Sequence, residues 1–327
     1  MEHFLKLMIL FGLGMIWSCQ VGENNHYPII ESITADSQEI AILGTTQLHV
    51  MASDGDDDVL SYAWENVYAG IITGDGPTFT FEAHGNVGSY RLICWVFDNH
   101  GGADRAEVEV TVIRPEMPEG AVAYYPFNGN AYDESGFDNN GILVGLASDY
   151  SRFGIWREAY IFSGSNSYIN VQDDPSLDIT DAISISVWIK PARIGPDNIA
   201  TILSKQHAST HVDPYSKYGL YLFNHLNAYQ FRIGTQNLLF GYVLYDQWQH
   251  IVVTFDYSQN LAECWVDGAL NNYATHWDQN IEVSNHMLKI GTNAEFEENF
   301  KGSLDDIRIF DYVLSPSQIQ ALRVESD

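Results

Sequence analysis

Ser184-Ile185-Ser186-Val187-Trp188-Ile189-Lys190-Pro191, preceded by Ile183, puts Ile183, Ile185, Val187 and Ile189 on one side of the chain and Ser184, Ser186, Trp188 and Lys190 on the other. A period of two is the mark of a strand with one face in a core. The same period returns at Ile251, Val253 and Phe255 and again at Ile307 and Ile309. Between them Val266-Asp267-Gly268 reads as a hairpin tip, because Asp-Gly supplies the positive φ values of a tight type I′ turn. Only Ser315-Pro316-Ser317-Gln318 announces a helix, with a serine N-cap, a proline at the first helical position and a glutamine placed to close a capping box. Strands, turns and one terminal helix over residues 121–323 predict two large antiparallel sheets in a jelly roll.

Upstream, Pro115-Glu116-Met117-Pro118-Glu119-Gly120 is a linker whose two prolines end any strand that precedes it. Before it the alternation is equally regular. Leu48, Val50 and Ala52 share one face, as do Leu60, Tyr62 and Trp64, then Tyr90, Leu92, Cys94 and Val96, and finally Ala106, Val108, Val110 and Val112. Several short strands between residues 27 and 114 predict a separate β-sandwich. The chain is therefore all-β, with 327 residues that suit two globular units. Hydrophobic residues at 46% against 18% charged argue for packed cores.

A net charge of −28 repels nucleic-acid phosphate, so nucleic acid is not an expected partner. At the start, Leu7 to Trp17 is apolar but too short for a permanent membrane span, and it reads as an export signal over residues 1–18. Ile16-Trp17-Ser18-Cys19 resembles a bacterial lipobox, although Trp17 departs from that pattern and Glu2 weakens the positive leader. The resemblance implies lipidation of Cys19, a linker over residues 19–26, and attachment to the outer membrane or cell surface by that anchor alone; an ordinary secreted product is the alternative. Cys94 and Cys264 remain as two buried thiols on apolar strands in different units.

Ala52-Ser53-Asp54-Gly55-Asp56 with Leu60-Ser61-Tyr62-Ala63-Trp64, and Gly88-Ser89-Tyr90-Arg91-Leu92 leading to Val96-Phe97-Asp98-Asn99-His100-Gly101-Gly102, resemble a PKD-type or cadherin-like immunoglobulin-fold module over residues 27–114. Asp54, Asp56 and Asp98 offer oxygen ligands to a hard cation such as calcium, with an acidic turn as the plainer alternative.

The second unit opens on Val122-Ala123-Tyr124-Tyr125-Pro126-Phe127-Asn128-Gly129-Asn130-Ala131-Tyr132-Asp133-Glu134-Ser135-Gly136 and closes on Phe300-Lys301-Gly302-Ser303-Leu304-Asp305-Asp306-Ile307-Arg308-Ile309. Between these lie Tyr160-Ile161-Phe162-Ser163-Gly164, the Ser184–Pro191 run, Trp248-Gln249-His250-Ile251-Val252-Val253-Thr254-Phe255-Asp256 and the Asp267-Gly268 tip. Together and in this order they are similar to the laminin-G-like, concanavalin-A-like lectin/glucanase family. That resemblance implies neighbouring first and last strands. With Asp305 sharing the parity of Ile307 and Ile309 and so pointing inward, a calcium ion between Asp133 and Asp305, completed by backbone carbonyls near Asn128 or Asn130, is the expected staple, with pairing of Asp305 to Arg308 or a backbone amide as the alternative.

The glucanases of this architecture carry Glu-x-Asp-x-x-Glu on a strand, and nothing here matches it. No Gly-x-Ser-x-Gly, His-Glu-x-x-His or phosphate-loop motif occurs either, so catalysis is not expected. His250 alternates with Ile251 and is expected to be structural. For binding, the informative stretch runs from His207 to Phe231: His211, Asp213, Tyr215 and Tyr221, with the following Arg232, combine aromatic faces with polar groups, as a saccharide requires. The expected role is a non-catalytic surface lipoprotein whose second unit recognises carbohydrate or glycoprotein while the first acts as a spacer. An adhesive protein-binding module without a sugar site, and an accessory of a secreted glycan-degrading system, are the alternatives.

Overall fold

The computed structural model describes residues 25–42, 44–65, 70–83, 87–113, 116–195, 199–210, 212 and 214–324. The export signal, Cys19, His211 and Asp213 lie outside these residues. The chain divides into two compact units, residues 1–114 and 115–327.

Among its described residues the first unit is two four-stranded sheets. One has the order Ile29–Ala35, Thr45–Ser53, Thr78–Ala83, Gly70–Asp75, and the other Glu39–Ala41, Ala103–Ile113, Gly88–Phe97, Ser61–Glu65. Leu48, Phe81, Leu92, Val110 and Val112 fill the space between them. Cys94 is a buried free thiol there, and burial pushes it up to about 11, which leaves it a small apolar group.

Among its described residues the second unit is a sandwich of a seven-stranded and an eight-stranded sheet. The seven-stranded order is Gly141–Val144, Tyr168–Val171, Leu288–Ile290, Ile199–Gln206, Ser216–Phe223, Ala228–Ile233, Gln236–Phe240. In the other sheet Lys301–Phe310 runs between Trp156–Ser163 and Ala182–Pro191, and Ala121–Tyr125 also pairs with it. First and last strands are thus neighbours, as the family resemblance implies. Ile183, Ile185, Val187 and Ile189 are fully buried against Ile251, Val253, Ile307 and Ile309, so the period-two reading of this strand holds.

Two local readings also hold in detail. Asp267 at φ 49° and Gly268 at φ 78° form the two-residue tip between the strands ending at Val266 and starting at Ala269. The helix Pro316–Val324 begins with the expected box: the Ser315 amide donates to Gln318 Oε1 at 2.9 Å, and the Gln318 amide donates to Ser315 Oγ at 3.4 Å. Leu314, Ile319 and Leu322 then bury against Val252, Trp265 and Phe310.

One parity assignment is corrected. The pairing of Lys301–Phe310 with Ala182–Pro191 shifts register between Ser186 and Trp188, and Asp306 takes φ 45° there. A bulge absorbs one residue and breaks the alternation. Asp305 consequently lies opposite Trp188, whereas the core residue Leu304 lies opposite Ile189. The carboxylate shares the face of Trp188 instead of pointing inward with Ile307.

Candidate functional site

The Ser216–Phe223 strand sends Tyr218, Leu220 and Leu222 into the core, which leaves Gly219, Tyr221 and Phe223 on the other face of the seven-stranded sheet. On the next strand Tyr229, Phe231 and Ile233 are core, and Gln230 and Arg232 share the outer face. Register sets Tyr221 opposite Gln230 and Gly219 opposite Arg232. Gly219 is small for a reason: a Cβ there would lie 2.8 Å from the Tyr221 hydroxyl oxygen, so the ring occupies the space that a side chain would need.

These groups line a cavity of about 460 Å³ together with Ile199, Tyr215, Phe223 and Glu298. Its size falls in the range of roughly 300–1,000 Å³ usual for small-molecule sites. Tyr221 forms a rigid part of its wall. Its hydroxyl is 2.9 Å from Ser216 Oγ and 3.4 Å from Ser204 Oγ, and burial raises its pKa, so it stays a neutral phenol. Arg232 stacks at 5.0 Å from the Tyr215 ring and 5.7 Å from the Tyr221 ring. Glu298 is fixed by Thr201, whose hydroxyl donates to Glu298 Oε2 at 3.0 Å and whose amide donates to the Glu298 carbonyl at 2.9 Å.

Three of the residues singled out from the sequence, Tyr215, Tyr221 and Arg232, are therefore brought to one cavity. Ile199, Gln230 and Glu298 were missed. Glu298 lies in the Glu295-Phe296-Glu297-Glu298 loop, and only the fold carries it to Thr201.

The Asp133–Asp305 pair is arranged differently from the expected staple. Asp133 Oδ1 accepts from the Tyr124 and Ser135 amides, and Oδ2 from the Ser135 hydroxyl and the Asn139 amide, at 2.7–2.9 Å. These four donors saturate the carboxylate, so Asp133 ties the first strand to the following turn without a cation. Asn130 Oδ1 receives the Tyr132 amide at 2.7 Å, and the Asn128 carbonyl receives Asn130 Nδ2 at 3.4 Å. Asp305 faces Arg152 at 3.3 Å, and the same guanidinium pairs with Asp306. A protein cation stands where calcium was expected. Burial next to Asp306 nevertheless pushes Asp305 up to about 8.

His250 is structural, as its alternation suggests. It is 1% exposed, its Nε2 lies 2.9 Å from Ser186 Oγ, and its ring stacks on Trp188 with centroids 5.0 Å apart. Burial, aided by Arg152 and Arg308, drives its pKa down to about 3.

In the first unit, ligand oxygens of Asp54, Asp56 and Asp58 come within 4.8 Å of one another. Asp54 Oδ1 accepts the Asp56 amide at 2.8 Å, but its buried Oδ2 has no hydrogen-bond partner, and an orphaned carboxylate oxygen beside two further carboxylates fits a cation. Asp98 does not join the group. It accepts from Asn25 Nδ2 and from the His100 and Gly102 amides at 2.7–3.1 Å. Burial opposes its ionisation, yet those hydrogen bonds outweigh it and keep the carboxyl below its ordinary range.

Comparison with known proteins agrees with this architecture. A 19% identical stretch of 206 residues, 56% of this chain, covers 83% of C-reactive protein from Mesocricetus auratus. A 26% identical stretch of 81 residues, 23% of this chain, covers only 34% of C-reactive protein from Xenopus laevis. The binding domain of Paraclostridial Mosquitocidal Protein 1 superposes with a TM-score of 0.51 at 16% identity, over 62% of this chain and 52% of the toxin domain. That likeness is one of fold. Residues 163–320, which contain every lining residue of the cavity, match the laminin G family described as the Concanavalin A-like lectin/glucanases superfamily, and they form a domain of that superfamily.

Proposed function

We propose that the second unit is a non-catalytic saccharide receptor whose ligand sits in the Tyr221–Arg232 cavity. The observation that carries the reading is the lining itself. Aromatic rings offer faces to the apolar side of a sugar, while Gln230, Arg232 and Glu298 offer donors and acceptors to its hydroxyls. The superfamily description, which includes lectins, supports it. Carbohydrate or the glycan of a glycoprotein is the partner. The first unit serves as a spacer stiffened by calcium at Asp54, Asp56 and Asp58, where the unpartnered Asp54 oxygen is the supporting feature. Export through residues 1–18 and a lipid on Cys19 would display the receptor at the outer membrane or cell surface.

The test is a glycan-array screen of the full chain, with and without chelator. Saccharide capture that is lost in Tyr221→Ala supports the reading. Absence of any glycan signal alongside capture of a protein partner would sink it in favour of an adhesive module. That second reading has one feature on its side: Tyr150, Phe153, Ile155 and Trp156 expose 41–53% of their surface on a single hairpin.

A further inference from the structure

Arg232 is held in place but its charge is not neutralised. Lys205 and Lys217, on the two preceding strands of the sheet, each hold a carboxylate: Lys205 pairs with Asp173, and Lys217 lies 2.6 Å from Glu282. No carboxylate among the described residues comes within ion-pair distance of Arg232, and its Nε is buried without a hydrogen-bond partner. The two tyrosine rings hold the guanidinium by stacking alone, which restricts its motion while leaving its donors unused. A chain of net charge −28 offers many carboxylates, yet none of the described ones pairs with this guanidinium in its cavity.

We infer that this cavity selects saccharides bearing a carboxylate, such as uronic acids, and that Arg232 receives that group. The inference rests on the saccharide reading above and specifies its ligand class. A planar carboxylate matches the guanidinium fork, and a charge-assisted bond inside a cavity is stronger than a hydroxyl contact. The other charged lining group orients the ligand. Glu298, held by the Thr201 hydroxyl, repels an anion, so the acid group points to Arg232 and away from Glu298. A neutral sugar would leave the guanidinium unsatisfied on binding, which costs affinity.

The experiment presents the full chain with a panel of uronate and sialate glycans, each beside its carboxyl-reduced counterpart, together with neutral and sulfated glycans. The expected result is capture of at least one acidic member, weakened roughly 10- to 100-fold by carboxyl reduction. Arg232→Gln should remove that preference and bind the acidic and reduced forms alike. Arg232→Lys, which keeps the charge but loses the fork, should retain part of it. A melting midpoint in both variants near that of the parent separates loss of recognition from loss of fold. Equal binding of acidic and reduced forms by the parent, or capture of neutral or sulfated glycans only, overturns the inference while leaving the saccharide reading intact. Failure of every glycan overturns both.

Discussion

Arg152 lies 3.3 Å from Asp305, with side chains 6% and 3% exposed, and so ties the loop after Tyr150 to the bulge in the last strand. The same guanidinium pairs with Asp306, and removing one partner of a buried pair leaves the other charge, here the Asp306 carboxylate, uncompensated. Arg152→Met therefore should destabilise the second unit by about 3–5 kcal/mol. Urea unfolding followed by tryptophan fluorescence reads this, and an unchanged midpoint would show that the guanidinium carries no such role.

The same cluster makes stability depend on pH. Asp305 is pushed up to about 8 in the folded state, from roughly 3.9 in an unfolded chain. The folded protein holds this proton more tightly, so the contribution is complete below about pH 4 and is lost as pH rises towards 8. Asp305→Asn, which cannot ionise, should flatten the fall in melting midpoint between pH 6 and 8.5. Parallel curves for variant and parent would contradict the assignment.

His250 gives the opposite slope. Burial lowers it to about 3, so its neutral form stabilises the fold above roughly pH 6.5 and the contribution is lost as pH falls through 6.5 towards 3. His250→Gln should lessen acid destabilisation over that window, as followed by circular dichroism, even if it lowers stability at neutral pH.

Gly219→Ala tests the cavity without removing a polar group. The added methyl collides with the Tyr221 ring and hydroxyl at 2.8 Å, and overpacking of this kind costs about 1–3 kcal/mol. Displacement of the ring should abolish saccharide capture while the second unit still melts cooperatively. Retained capture would place the ligand elsewhere.

Calcium should raise the melting midpoint of the first unit, by about 2.7 kcal/mol in stability at a hundredfold excess over Kd. Asp54→Asn should remove that gain, because the orphaned oxygen is replaced, and Asp133→Asn should leave it. Calorimetry with and without chelator decides, and a gain that survives Asp54→Asn would move the site away from this loop.

Strands, hairpin tip and terminal helix were legible because each depends on neighbours in sequence: the period at Ile183–Ile189, the Asp267-Gly268 pair, and Ser315 with Gln318. Tyr215, Tyr221 and Arg232 were legible as residue types suited to a sugar. What could not be read required distant partners. Arg152 and Asp305 are 153 residues apart, and Thr201 and Glu298 are 97 apart, so neither contact leaves a local pattern. The bulge did leave one. Asp305-Asp306 is a pair of adjacent acids in an alternating strand, and strict alternation would have sent one of them into the core.

The position of the last strand has a kinetic consequence. Lys301–Phe310 is the piece that joins Trp156–Ser163 to Ala182–Pro191, and Ala121–Tyr125 also waits for it. A ribosome delivering this chain from its N-terminus holds the eight-stranded sheet in unjoined pieces until residues near 310 emerge. Pairings of such long sequence separation close slowly. The nascent eight-stranded sheet therefore stays pliable until that strand has emerged.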